Sequence, residues 1–431
     1  MIAFVTLLLG LISGVYPIEV TVGGAVTAVE YRLDGVTVAR REGPPWIAPV
    51  DLGSDLRPRE LTVVALDAGG QEIARASQWL NLPRPPAEVE IVLEKGEEGR
   101  PTAAQLNWQS VSGVKPATIG LTLDGKPLKV DGDGRAPLPK ANLKILHVLT
   151  AELWFPPGLL ARKDVAFGGE YGSEVSTELT AVPVRLRNGT ALPAPEGLQE
   201  WFTAAGRPVP AVAVEDGPGK LIVVRVPSGR EVLDELVPRL RRPTLPALRQ
   251  KMRLGEEDRV RFLSLSGNRY RGSKIPSELF DMSGELKAAD GGLFWQLSNS
   301  RLLKEVHGRA LRIADAVAVA GLQAATDNRR RAVLLVLSGN VRDSSRYGPD
   351  VVKQYLESIH VPLFVWYLYG APTPAAKGWG AGEDVSSLEK LEQATDRLRT
   401  VLDSQRIVWL EGRHLPQSIA LTPAARGVEL P

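Results

Sequence analysis

The chain contains no cysteine, so disulfides, thiolate metal sites and a cysteine nucleophile are all excluded. It has only four histidines, and His147, His307, His360 and His414 are too scattered to form a zinc-type spacing. Charge of one sign is lacking as well. Lys and Arg total 52 against 50 Asp and Glu, a net charge of +2. No stretch gathers basic residues into the patch that nucleic acid requires, so nucleic acid is not expected as a partner. The cluster Arg329-Arg330-Arg331 reads as a solvated connection. No phosphate-binding glycine loop and no G-x-S-x-G nucleophile elbow occurs. Ser112-Gly113-Val114-Lys115 matches S-x-x-K, but without partner motifs and in an all-β context.

Long apolar runs are also lacking. The longest opens the chain, over residues 2–15, and ends before Pro17. A helix needs about 20 apolar residues to cross a bilayer, so this run is too short to span. Its length fits the apolar region of a signal peptide, cleaved or retained, and residues 1–17 are read as that segment or a short anchor. The alternative is a buried first strand.

What is present is length and pattern. With 431 residues, 44% of them hydrophobic and 24% charged, the chain is an ordinary globular protein of about three domains. Residues 18–82 alternate like strands, with a hairpin turn at Asp34-Gly35 and another at 67–70, which predicts a β-sandwich. The order of the Asp-Gly hairpin, Pro45-Trp46 and the V-A-L-D-A-G-G strand end resembles bacterial immunoglobulin-like domains. That resemblance makes Trp46 a core residue. The proline-rich stretch 81–86 reads as a linker. Residues 87–187 repeat the all-β character, and Asp124-Gly125 echoes Asp34-Gly35. Asp131-Gly132-Asp133-Gly134 lacks the flanking helices and the twelfth-position Glu of a calcium loop, so it reads as a polar turn.

From residue 219 onward strands and helices alternate. Residues 221–226, 259–265, 332–337 and 362–368 read as strands, 310–325 and 385–402 as helices, and 407–410 as a last strand. This order predicts a doubly wound, mostly parallel α/β sheet of Rossmann-like type. The unit over 330–370, strand, polar loop, amphipathic helix, strand, resembles the second half of a von Willebrand factor type A (VWA) domain. A second stretch, residues 188–218, resembles the short β-rich lead-in that precedes such domains in one group of bacterial proteins. Gly189, Leu198, Trp201-Phe202, Gly206 and Pro208 fall there in matching order. The expected fold class is therefore multidomain: two immunoglobulin-like sandwiches, a lead-in, and a VWA-like domain over 219–431 with a carboxyl-terminal strand extension.

The VWA resemblance implies a divalent-cation site at the carboxyl ends of the strands, made from D-x-S-x-S, a Thr and an Asp. Aligned on this chain, Val226 stands in the Asp position, Ser228 survives, and Arg230 replaces the second Ser. Arg309 replaces the Thr, and Ser338-Gly339-Asn340 carries no carboxylate. Magnesium takes oxygen ligands and one or two carboxylates, so Val226, Arg230 and Arg309 oppose it, and no cofactor is expected. Asp343 and Asp234 read as surface residues. The Pro- and Gly-rich segment 371–384, with Lys377, Trp379 and Asp384, reads as an exposed partner-binding loop or a plain connection. The implied function is a non-enzymatic, extracytoplasmic protein-interaction protein without a metal. The alternatives are a metal-dependent adhesin, a self-assembling envelope component, or, last, a hydrolytic enzyme.

Overall fold

A computed structural model describes the chain apart from residues 1, 84–86, 97–99, 111–114, 141, 144–145, 157–158, 169–170, 176–178, 188–189, 227–243, 266–279, 292, 295–296, 298–310, 338–342 and 368–377. Two compact units emerge. One comprises residues 1–83, 181–410 and 414–431, and the other residues 84–180 with 411–413.

The first unit begins with a β-sandwich. Strands β1 (Ile2–Phe4), β2 (Val15–Val22) and β5 (Ile47–Asp51) form one sheet. Strands β3 (Ala28–Leu33), β4 (Val36–Arg41), β6 (Arg59–Leu66) and β7 (Glu72–Leu80) form the other, in the order β4-β3-β6-β7. Every pairing is antiparallel, and alternate residues such as Ile18, Val29, Tyr31, Val50, Leu61 and Val63 fill the space between the sheets. Trp46 packs on this core, as expected. The opening apolar run has the role of its alternative reading. Ile2, Phe4, Leu8 and Ile12 are buried in the same core, and β1 pairs with β2.

The second unit is a sandwich of its own. Strands β8 (Ala87–Lys95), β9 (Pro101–Ser110) and β12 (Arg135–Pro137) form one sheet. The other contains β10 (Thr118–Leu123), β11 (Lys126–Pro127), β13 (Leu146–Phe155), β14 (Leu159–Gly168) and β15 (Tyr171–Val175). Its core gathers Ile91, Leu106, Leu121, Leu149, Leu153 and Phe155.

The two Asp-Gly turns are alike in detail. Asp34 and Gly35 both have positive φ (51° and 82°), as do Asp124 and Gly125 (49° and 77°), the backbone of a tight hairpin turn. The Asp34 N–H donates to Glu60 O (2.8 Å), and the Glu60 N–H donates back to Asp34 Oδ1 (3.0 Å). Asp124 and Val148 make the same reciprocal pair at 2.8 and 2.9 Å. In each module the residue before the partner, Arg59 or His147, also pairs with the turn carboxylate. Asp131 accepts from the N–H groups of Asp133 and Arg135, so that segment is a polar turn.

After β16 (Leu179–Leu186) the first unit resumes with β17 (Phe202–Ala204), β18 (Arg207–Pro208) and β19 (Ala211–Glu215). An α/β domain follows. Its sheet contains β20 (Gly219–Arg225), β21 (Arg259–Ser264), β22 (Asp281–Met282), β23 (Leu286–Lys287), β24 (Arg330–Leu337), β25 (Leu363–Tyr367) and β26 (Glu383–Asp384). The order is β22-β21-β20-β24-β25-β26, with β23 beside β21. Strands β21, β20, β24, β25 and β26 run parallel, and β22 and β23 are antiparallel to β21. Every residue of β20 and β24 is buried, because helices cover both faces. On one face lie α2 (Ile313–Ala324) and α3 (Pro349–Ser358), against Ile222, Val224, Val333 and Leu335. The other face, with Leu221, Val223, Leu334 and Trp366, holds Leu391, Ala394, Leu398 and Leu402 of α4 (Leu388–Asp403). The short α1 (Thr244–Lys251) leads to Met252 and Leu254 on that face. Small residues let α2 approach closely. A Cβ on Gly321 would lie 2.0 Å from Leu356 of α3.

Three expectations are corrected. The strand predicted at 407–410 is β27 (Gln405–Glu411), and it does not extend the parallel sheet. It pairs antiparallel with β19, in the order β19-β27-β16-β29, while β28 (Ile419–Leu421) pairs with β17 and β29 (Val428–Glu429) with β16. The α/β domain is thus inserted in a small β module built from both of its flanks. Second, the arginine cluster is largely not solvated. Arg330 and Arg331 are buried at the amino-terminal edge of the sheet. Arg331 donates from Nη2 to Ile359 O (3.0 Å) and from Nε to His360 O (3.3 Å), so its charge lies at the negative end of α3. Burial holds its guanidinium down to about 10. Third, within the stretch 81–86 read as a linker, the two compact units divide between residues 83 and 84, and 84–86 lie outside the described residues, but Asn81 and Leu82 are packed rather than free. Asn81 is buried, and Leu82 packs against the α/β core.

Candidate functional site at the carboxyl edge of the parallel sheet

In an open α/β sheet, ligands bind beyond the carboxyl ends of the strands where the strand order reverses. Here that point lies between β20 and β24. Val226 follows β20 directly. Its N–H donates to Val336 O at 2.9 Å, and its side chain is 1% exposed within the α2–α3 cluster. It contributes packing there and offers no ligand atom. Ser228, Arg230, Arg309, Ser338, Gly339, Asn340 and Lys377 lie outside the described residues, as do His307 and Asp234.

Among the described residues, two carboxylates near this edge, Asp343 and Asp315, are already engaged. Asp343 is not a surface residue in role. Its Oδ1 accepts from the N–H of Ile313 (3.0 Å), the N–H of Ser345 (2.9 Å) and the Ser345 hydroxyl (2.6 Å). Its Oδ2 accepts from the Ala314 N–H at 3.3 Å. The first turn of α2 therefore receives its capping acceptor from a loop thirty residues further along the chain. Asp315, buried in that turn, accepts from the N–H groups of Arg346 (3.1 Å) and Tyr347 (3.2 Å) and from Arg312 Nε (2.7 Å). The Ser345 hydroxyl oxygen accepts in turn from the Asp315 N–H (3.1 Å). Carboxylates occupied by this many donors hold a loop in place rather than a cation. Sequence reading missed this network because capping residues normally sit beside their helix.

Of the segment 371–384, read as a partner-binding loop or a plain connection, residues 371–377 lie outside the described residues, and Trp379 is not the exposed side chain that a binding loop would present. Trp379 is 4% exposed and belongs to the core with Val365 and Tyr367. The neighbouring Gly378 lies against Pro349 at the start of α3. Tyr367 donates its hydroxyl to Gly380 O at 2.9 Å, fixing the turn that follows. Asp384 accepts from the Ser386 N–H (2.8 Å) and pairs with Lys390 in α4. That ammonium group holds the Asp384 carboxyl down to about 2. Among the described residues, no group of three or more His, Asp or Glu side chains is placed to hold a metal ion. No described helix is long and apolar enough to cross a membrane.

No protein-family model matches the chain, and no curated protein matches it. Among solved structures it is similar to the fibronectin(III)-like modules of Clostridium thermocellum CbhA, at 14% identity over 39% of this chain and 94% of that one, with a TM-score of 0.17. It is also similar to the central fibronectin-III array of RIM-binding protein (11% identity, 45% and 80% covered, TM-score 0.24). A third is proximal thread matrix protein 1 from the mussel byssus (10% identity, 50% and 49% covered, TM-score 0.26), so the chain spans about half of that protein. The sandwich architecture itself rests on the strand pairing given above.

Proposed function

We propose that this chain is an extracytoplasmic protein-interaction protein built on a VWA-type α/β domain whose cation site has degenerated. The observation that carries this reading is Val226, an apolar side chain sealed in the core at the strand-order reversal. Support for the VWA assignment comes from the order β22-β21-β20-β24-β25-β26 with helices on both faces. Support for binding without a metal comes from the engagement of Asp315 and Asp343 by protein donors. A location outside the cytoplasm rests on the tandem sandwich modules alone, because the amino-terminal apolar run is occupied as core.

Thermal unfolding of the full chain with and without millimolar Mg²⁺ or Mn²⁺ tests the reading. A ligand present at 100 times its Kd stabilises the native state by about 2.7 kcal/mol. The expected result is an unchanged Tm, with the same proteins captured from an envelope extract in EDTA as in Mg²⁺. A clear cation-dependent rise in Tm, or capture only with the cation, makes the protein a metal-dependent adhesin.

A further inference from the structure

The loop that follows residues 338–342 is held from two sides. Towards α2, Asp343, Ser345 and Asp315 bind it to the helix start as described above. Towards the amino-terminal sandwich, Arg346 Nη2 donates to Ser13 O (3.0 Å), and the Tyr347 and Ser13 hydroxyls lie 3.0 Å apart. The contact continues along α3. Tyr355, buried in that helix, donates its hydroxyl to Asn81 O at 3.0 Å. The Asn81 side chain in turn accepts from the Ile12 N–H (2.7 Å) and donates to Ile12 O (3.1 Å). Between these polar ties, Leu56 of the sandwich, 1% exposed, is inserted in the α2–α3 core, with Leu11 and Leu82 packed beside it.

We propose that the amino-terminal sandwich is a clamp on the carboxyl-edge loop. Its docking through Ser13, Leu56 and Asn81 sets the conformation of 343–347, and rearrangement of that loop releases the docking. Two physical points carry this. The loop cannot shift at Arg346 and Tyr347 without breaking either their N–H bonds to Asp315 or the Ser13 contact, because the backbone of these two residues makes the first and their side chains make the second. Packed interfaces also rearrange between discrete states rather than deforming continuously, and coupling between two sites is reciprocal. A partner seated at the carboxyl edge is thereby sensed at the sandwich interface, and release uncovers the apolar surface around Leu56 and Tyr355. Only the identity of the ligand edge rests on the function proposed above.

Hydrogen–deuterium exchange on the full-length chain, with no metal or partner added, tests the clamp. Leu56→Asp places a charge in the apolar contact. It is expected to speed exchange at residues 313–315 and 343–347 at least tenfold, with β3, β6, β20 and β24 unchanged. Asp343→Asn works from the other end and is expected to speed exchange of the Ile12 amide severalfold. The clamp is overturned if Asp343→Asn leaves the Ile12 amide as in the wild type, or if Leu56→Asp accelerates only sandwich amides. Should Leu56→Asp accelerate every strand through loss of the fold, Arg346→Met with Tyr347→Phe decides, since it removes both contacts to Ser13. Unchanged protection at 343–347 in that double variant also refutes the clamp. A cation-dependent Tm would sink the metal-free function and leave this outcome untouched.

Discussion

Arg329 and Arg330 are neighbours in sequence with opposite expected sensitivities. Arg330 donates from Nε to Gly217 O (2.5 Å), from Nη1 to Leu402 O at the end of α4 (2.7 Å), and from Nη2 to Asp258 (3.2 Å). Asp258 is buried as well, and accepts from the N–H groups of Gly219 (2.6 Å) and Gly255 (2.9 Å). Both positions need glycine for this approach, since a Cβ would fall 2.9 or 2.8 Å from the carboxylate. Replacing Arg330 with Met keeps much of the packing and removes all three donors. It strands a buried carboxylate with two of its bonds and takes the guanidinium donors away from the Gly217 and Leu402 carbonyls. Breaking one partner of a buried ion pair costs about 3–5 kcal/mol. Arg329 has a side chain 34% exposed and lies 3.8 Å from Glu285. An exposed pair of this kind contributes about 0–1 kcal/mol, which is the expected cost of Arg329→Ala. Urea unfolding followed by tryptophan fluorescence separates the two, with each transition fitted on its own because the chain has two units. Equal shifts, both below about 1 kcal/mol, would refute the claim that Arg330 and Asp258 tie the sheet edge together.

Phe4→Ala is expected to destabilise the amino-terminal sandwich by about 3–5 kcal/mol, since the ring is buried in its core. A loss under about 1 kcal/mol in the same urea titration would mean that residues 2–12 are not integral to the module. His360 makes a pH prediction. Burial holds its imidazole down to about 4, from an ordinary value of 6.5, and one ring nitrogen bonds Pro416 O (3.0 Å). The neutral ring is favoured in the fold, so the unfolded chain binds the extra proton between those values. Stability is complete above pH 6.5 and declines as pH falls toward 4, by about 3 kcal/mol at 1.36 kcal/mol per pKa unit. His360→Asn accepts the left-handed backbone there (φ 54°) and should flatten that part of the stability–pH curve. An unchanged slope would place the acid sensitivity elsewhere.

The fold was legible wherever short-range rules suffice. The Asp34-Gly35 and Asp124-Gly125 turns require positive φ at both residues, and few residue types supply it. The strands at 332–337 and 362–368 appeared as unbroken apolar runs because helices cover both faces of their sheet. The small-residue pattern of α2 announced close packing, and Gly321 against Leu356 is that packing. The site was less legible. Val226 could be read as an apolar residue in a ligand position, but Asp343 and Trp379 could not be placed. Asp343 caps a helix that precedes it by thirty residues, and Trp379 is covered by elements far from its own loop.

The sequence by itself determined the alternation of strand and helix, the tight turns, the absence of thiol chemistry and the apolar side chain at the sheet's switch point. These follow from residue type and spacing, which act over a few residues. Only the tertiary structure decided that residues 2–12 fill a sandwich core and that β27 joins β19 and β16 rather than the parallel sheet. It also decided that Arg330 and Arg331 are buried and that Arg346 and Tyr347 meet Ser13 of the sandwich. Apolar periodicity shows where a chain wants cover, but the cover itself comes from residues distant in sequence. A buried charge is tolerated only where such residues bring its partners.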